Sequence, residues 1–376
     1  MDQIRLGIIG TGLAVEKLHW PALRQMPDRF RVVAFADTDR ENAERFAGYS
    51  GTPMDAWTPD YREVLARDDV DAVLVSLPIP LNEPVTRDVL AAGKHVCCEK
   101  PAGKNDAEGR AFVDLAAAHP DRVVMVAENW FYRDDLRLAR ALLDEDRIGR
   151  VHFVAWRTVS QLVPTPGDFS ITPWRHEADY EGGPHLDAGV HYAAELRLLC
   201  GDVERVSGEI QDANSIFGGP SDLVLNLRFV SGAAGSYAAS WPELAVPAEP
   251  NDLRLYGTNA VMVLGRHDIR IHRPDGSAES FRIEGADGGY FNEFLDFHRA
   301  VTEGAPLTVG TAAQSYRNME IILGGLESAR TGQSVRPDAW PAPLSASPVP
   351  LWRPSESDDL FAGLPTRVVR ETIPAG

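Results

Sequence analysis

Cysteine is scarce in this sequence: Cys97, Cys98 and Cys200 are the only three in 376 residues. That excludes a disulfide framework, and with no Cys-x-x-Cys pair or His cluster at zinc-ligand spacing, no metal is expected. Adjacent Cys97 and Cys98 point to opposite faces of a strand, so all three cysteines read as reduced packing residues in a reducing compartment. No window approaches the ~18 uninterrupted apolar residues of a membrane-spanning helix. Nor is there a signal-peptide apolar region, because Met1-Asp2-Gln3-Ile4-Arg5 leads straight into a strand. A cytoplasmic location is expected. Positive charge is also in deficit, with 37 basic against 55 acidic residues and a net charge of −18. Such a field repels phosphate backbones and anionic bilayers, so neither nucleic acid nor membrane is an expected partner. A dinucleotide stays compatible, because a few backbone amides and a helix N-terminus can hold a pyrophosphate against the global charge.

What is present describes an ordinary soluble chain, 44% apolar and 24% charged. Its length exceeds one usual domain, so two are expected. Apolar residues 4–9 end in Gly10-Thr11-Gly12-Leu13-Ala14-Val15, and residues 16–26 carry helical spacing with Leu18, Ala22 and Leu23 inward. This is a strand, a glycine turn and a helix. Gly10 permits the tight turn and Gly12 lets the backbone approach a pyrophosphate, while Val15 replaces the third glycine of the dinucleotide fingerprint. A second strand, 31–36, ends at Asp37, where a carboxylate can accept both hydroxyls of an adenine ribose. Asp37 can equally cap the helix that begins near Arg40. Helices at 60–67, 82–92 and 106–118 then alternate with strands at 71–77, 95–98 and 122–127, the pattern of a doubly wound parallel sheet.

The strand at 95–98 runs into Glu99-Lys100-Pro101. Lys100 therefore sits at a strand's carboxyl edge, where open parallel sheets bind ligands, although strand ends also carry solvated charges. After a helix at 134–143 the pattern changes. Strands are expected at 151–160, 203–211, 223–230, 233–240, 251–264 and 268–272, most with period-two alternation, forming a mostly antiparallel sheet. Helices at 186–199, 291–302 and 312–328 are expected to cover one of its faces, an α+β arrangement. Apolar Val224, Leu227 and Phe229 occupy both alternations of one strand, so the other face is expected to pair with a second subunit in a homodimer or homotetramer. The proline-rich tail from residue 337 shows little periodicity and is expected to wrap the surface or stay mobile. Within Gly182-Gly183-Pro184-His185-Leu186-Asp187, a glycine loop opens a helix on which Asp187 and His191, at i and i+4, share one face. A satisfied surface pair is the plainer alternative for those two residues.

Glu99-Lys100-Pro101 about 90 residues after the Gly10-x-Gly12 turn, with Asp187 and His191 about 90 residues further on, resembles the Gfo/Idh/MocA family of NAD(P)-dependent oxidoreductases. That family takes in glucose-fructose oxidoreductase, inositol dehydrogenase and rhizopine catabolism proteins, and the resemblance spans nearly the whole chain. It implies a Rossmann dinucleotide-binding domain at 1–128, an α+β substrate-binding and oligomerisation domain at 129–340, and a tail at 341–376.

The resemblance further implies that NAD, or alternatively NADP, lies on Gly10, Thr11, Gly12, Leu13 and Ala14, with Asp37 and Arg40 at its ribose. Ser76, Leu77, Pro78 and Asn82 would pass its ribose and phosphates. Glu99, Lys100, Asn129 and the Trp174-Arg175 segment would complete the cofactor contacts. Lys100, Asp187 and His191 match the family's catalytic set, and His185 and Tyr290 would join them around the substrate. Histidine suits proton abstraction near physiological pH, and a compact lysine cation suits a developing alkoxide. The expected activity is hydride transfer between a nicotinamide cofactor and a secondary hydroxyl of a sugar, cyclitol or related polyol. Two alternatives stand beside it: an NAD-dependent glycosidase of the same superfamily, and a non-catalytic dinucleotide sensor.

Overall fold

The computed structural model describes residues 3–247, 252–265, 268–339, 351 and 366–374. Among them the chain forms two compact units, one from residues 3–129 and 290–316, the other from 130–289, 317–339, 351 and 366–374. The first stretch runs β1 (Ile4–Ile9), α1 (Trp20–Leu23), β2 (Phe30–Ala36), α2 (Arg40–Ser50), β3 (Trp57–Thr58) and α3 (Tyr61–Leu65). It continues through β4 (Ala72–Val75), α4 (Asn82–Ala91), β5 (His95–Glu99), α5 (Asp106–Ala118) and β6 (Val124–Ala127). Next come α6 (Asp134–Asp144), β7 (Val151–Val159), α7 (Pro173–His176), α8 (Pro184–Asp187), α9 (Gly189–Cys200), β8 (Val203–Gln211), β9 (Asp222–Phe229) and β10 (Ala234–Ser240). The chain closes with β11 (Leu253–Gly257), β12 (Val261–Leu264), β13 (Asp268–His272), β14 (Ala278–Glu284), α10 (Tyr290–Glu303), α11 (Ala312–Thr331) and β15 (Arg367–Ile373).

In the first unit six parallel strands stand in the order β3-β2-β1-β4-β5-β6. All four residues of β4 and of β6 are buried, as strands covered on both faces require. The order reverses between β1 and β4, which makes that gap the place where loops part and a ligand can enter. Helix α10 belongs to this unit and not to the sheet of the second domain, where sequence order put it. Its Phe294 and His298 rings stand edge-on to Phe30 at 5.7 and 5.6 Å, and the Val126 N–H donates to Gly310 O at 2.8 Å. The helix after the glycine turn also departs from expectation. Its first turn, Val15–His19, is a π-helix, and the wider turn rotates Val15 and His19 into the core while Leu18 is only half-buried.

The second unit carries nine strands in the order β15-β14-β13-β12-β11-β7-β10-β9-β8. Every neighbouring pair is antiparallel except β7 with β10. The single strand expected at 251–264 is two, because Thr258 and Asn259 turn away to donate to Arg150 O and Ile148 O at 3.1 and 2.9 Å. Strand β14 was not anticipated, and part of the expected tail is the edge strand β15 paired with it. Pro337–Ala339 form a 3₁₀ turn, and residues 340–350 and 352–365 of that tail lie outside the described residues. The helix expected at 186–199 breaks at Ala188 into α8 and α9.

Helices α9 and α11 join through Arg197 Nη1 donating to Asn318 Oδ1 at 2.7 Å, and Gly208 N on β8 donates to Ser328 Oγ of α11 at 3.1 Å. On β9, Leu223, Leu225, Leu227 and Phe229 are buried on one face while Val224, Asn226 and Arg228 are exposed on the other. The three cysteines are free and buried. Burial pushes the Cys98 and Cys200 thiols up to about 12, so neither is a ready nucleophile. No helix among the described residues is long and apolar enough to cross a membrane.

Candidate active site

The carboxyl ends of β1, β2, β4 and β5 lie along one edge of the parallel sheet, and they bring Gly10, Asp37, Ser76 and Lys100 to that edge. Gly10 has φ +86°, and a Cβ there would stand 2.2 Å from Ser76 O, so only glycine lets the β1 turn pass the β4 loop. At Gly12 an added Cβ meets nothing within 4 Å. The backbone is thus open on that side, as close approach of a pyrophosphate requires.

Asp37 is tied to the same turn. Its Oδ2 accepts from the Thr11 N–H at 2.8 Å and the Thr11 hydroxyl at 2.9 Å, and its Oδ1 accepts from the Asp39 N–H at 2.9 Å. The cap of α2 is Asp39, which accepts from Glu41 N, so Asp37 is not the helix cap. Two carboxylates, Asp37 and Asp39, therefore stand at the tip of β2. Arg40 pairs with Glu44 at 2.7 Å and lies over Trp57 at 5.6 Å. With both partners exposed, that pair holds it weakly. The turn, the open backbone and the acidic strand tip together fit NAD.

Lys100 follows the end of β5 and is half-buried. Its N–H donates to Glu99 Oε2 at 3.1 Å, and Glu99 Oε1 lies 2.7 Å from His19 Nε2. Asn82, expected against the cofactor, is fully buried. Its amide nitrogen donates to Glu99 O and Pro101 O, both at 2.9 Å, so both of its hydrogens are spent on backbone. Asn129 is also buried, at the start of a 3₁₀ turn after β6. Tyr290 opens α10 edge-on to His19 at 5.7 Å. Sequence reasoning missed His19, whose spacing from Val15 marks one helical face but whose partner lies eighty residues away.

In the second unit Gly183, at φ +51°, could take no side chain, since a Cβ would fall 1.8 Å from Gly218 O. From that turn α8 delivers Asp187, whose Oδ2 accepts from Arg175 Nε at 2.6 Å. Arg175 also donates to Thr172 Oγ1 at 2.7 Å and lies over Trp174 at 4.0 Å. With Nη1 held by Thr172, the Nε contact gives Asp187 a fixed, charge-assisted partner. His191, in the first turn of α9, stacks on Trp130 with centroids 5.3 Å apart and planes at 13°, and the Arg133 guanidinium lies over the same indole at 4.4 Å. Because the helix breaks between them, Asp187 and His191 do not share one continuous helical face. His185, expected at the substrate, is fully buried and stacked on Trp241 at 4.6 Å. Burial pushes its pKa down to about 3, so it is a neutral packing residue.

Two family models match the chain. One, described as an oxidoreductase family with an NAD-binding Rossmann fold, covers residues 4–128, and a GFO/IDH/MocA C-terminal domain covers residues 136–263. The chain is 31% identical to a dTDP-3,4-didehydro-2,6-dideoxy-alpha-D-glucose 3-reductase of Streptomyces violaceoruber, over 73% of this chain and 79% of that one. It is 26% identical to levoglucosan dehydrogenase of Pseudarthrobacter phenanthrenivorans, over 64% and 68% of the two chains. Among solved structures, an oxidoreductase of Thermotoga maritima superposes with a TM-score of 0.81 at 30% identity, over 89% of this chain and 99% of the other.

One turn beyond His191, Glu195 is buried, and desolvation pushes its pKa from 4.5 up to about 8 despite the Arg133 charge. Below 4.5 the folded and unfolded chains both hold this proton. Between about 4.5 and 8 only the folded chain does, so stability falls as pH rises through that window and the slope ends above it. Glu195→Gln should remove this part of the slope and raise stability at pH 8 by on the order of 1–3 kcal/mol. Urea unfolding across pH 5–9 reads it, and an unchanged slope would contradict the assignment.

Proposed function

The chain belongs to the GFO/IDH/MocA family of NAD-binding oxidoreductases, and we propose that it transfers hydride between NAD and a secondary hydroxyl of a sugar, cyclitol or related polyol. One observation carries the reading: Lys100 stands on the sheet edge that also holds the open Gly12 backbone and Asp37. The relatives named for sugar substrates support the substrate class.

Bound NAD supplies the hydride acceptor. Lys100 donates a hydrogen bond to the reacting oxygen and stabilises alkoxide character as it develops. His191 takes the hydroxyl proton, and returns it in the reverse direction, with its ring plane set by Trp130. Asp187, oriented by Arg175, accepts from a neighbouring substrate hydroxyl. Lys100→Ala and His191→Ala should each lower kcat by about 10²–10⁴-fold with NADH affinity near wild type. A screen of sugars, inositols and sugar acids for reduced-nicotinamide absorbance supplies the assay. Near-normal turnover in either variant sinks the roles, and glycoside cleavage without net NADH would favour the glycosidase alternative.

Asp37 and Asp39 set the cofactor preference. Their charge repels a 2′-phosphate, so kcat/KM should favour NAD over NADP by about tenfold or more. Asp37→Ala should narrow the ratio and weaken NAD as well, because Thr11 loses its partner. A wild-type preference for NADP would overturn this.

The face of the nine-stranded sheet that bears Val224, Asn226 and Arg228 is proposed to seat a second copy of the chain. Phe153 and Val224 are exposed there, on the same face as Glu209 and Arg228. Sedimentation at micromolar concentration should give a dimer or tetramer, and a monomer would contradict the proposal.

A further inference from the structure

Three hydrogen bonds surround the backbone of Lys100 without involving its ammonium group. Asn82, at the start of α4, uses both hydrogens of its amide on the carbonyls that flank Lys100, Glu99 O and Pro101 O, each at 2.9 Å. Its own amide oxygen is buried without a partner. Glu99 divides its carboxylate, Oε2 accepting from the Lys100 N–H at 3.1 Å and Oε1 meeting His19 Nε2 at 2.7 Å. His19 is fully buried, held between the edges of Tyr290 and Phe294 at 5.7 and 5.6 Å.

Burying an amide with an unpaired oxygen and an imidazole on a carboxylate costs free energy that a plain strand end would not incur. The residue enclosed by this arrangement is a lysine, whose four-carbon stem carries ~2 kcal/mol of rotamer freedom. Such a side chain places its charge reproducibly only if its Cα is fixed first. We propose that Asn82 and the His19–Glu99 pair form a backbone clamp that sets where the Lys100 side chain begins, which makes Asn82 and His19 positioning residues for its ammonium group. The inference rests on the role proposed for Lys100. Both residues are themselves buried, so they act through Lys100 rather than on the substrate. A displacement of ~1 Å at a reacting group can cost about 10²-fold in rate, which sets the scale of the expected effect.

The experiment is a double-mutant cycle on the full-length enzyme, with kcat at saturating sugar, NADH affinity and melting temperature measured for Asn82→Leu, Lys100→Ala and the pair. Asn82→Leu should lower kcat about 10–100-fold with NADH affinity within about threefold of wild type, yet cost less than about threefold more in the Lys100→Ala background. An equal fold-loss in both backgrounds overturns the clamp. Failure of Lys100→Ala to lower kcat overturns the reading of Lys100 itself. Should Asn82→Leu not fold, the His19 series decides. His19→Gln keeps a donor at the Nε2 position and should stay within about threefold of wild type, whereas His19→Leu should lose about tenfold or more. Equal losses in the two overturn the clamp.

Discussion

The first unit depends on one close approach. Strands β1 and β4 lie side by side, and the chain can leave β1 past the β4 loop only because nothing projects from Gly10 toward Ser76 O. A methyl group there would push the two loops apart at the reversal of strand order. The open backbone at Gly12, the Thr11 bonds to Asp37 and the placing of Asp37 beside the turn all follow from that contact. Recognition of a charged cofactor by a strongly acidic protein becomes understandable on this basis. The attraction is built from local amides, and the global field is left to discourage other polyanions.

The parallel sheet was legible because each of its longer strands is a short apolar run closed by Gly, Asp or Pro, and α5 begins where Asn105 caps it. The catalytic candidates were legible as motifs, each within a dozen residues of sequence. What escaped was set by partners far along the chain. The break at Ala188 separates Asp187 from His191, although periodicity alone carries the helix straight through. Asn82 was legible as the start of a helix, but that its amide reaches the carbonyls on both sides of Lys100 emerges only once β4 and β5 are known to be neighbours. Strand β14 was readable in its own alternation, with Phe281 and Ile283 buried, but β15 has so few apolar residues that only its pairing with β14 identifies it.

Electrostatics divide the two units differently. At the sheet edge of the first, carboxylates are spent on backbone N–H groups, as Asp37, Asp39 and Glu99 each show. In the second, charge lies beneath aromatic rings: Trp130 carries both His191 and Arg133, and Glu195 is buried close enough to feel the Arg133 charge. A cation on the indole face beside an imidazole favours a fixed ring plane over a mobile one.

The first unit is discontinuous in sequence, and this bears on how the protein is made. When a ribosome has released residues 1–129, the six-stranded sheet is complete, but the helix whose Phe294 and His298 pad Phe30 has not been synthesised. His19 is likewise without the Tyr290 and Phe294 edges that enclose it. The nascent chain must carry an exposed apolar seam through the translation of the whole intervening stretch before α10 arrives to seal it. An order of maturation is therefore written into the connectivity, with the dinucleotide cradle begun first and finished after residues 130–289 have emerged.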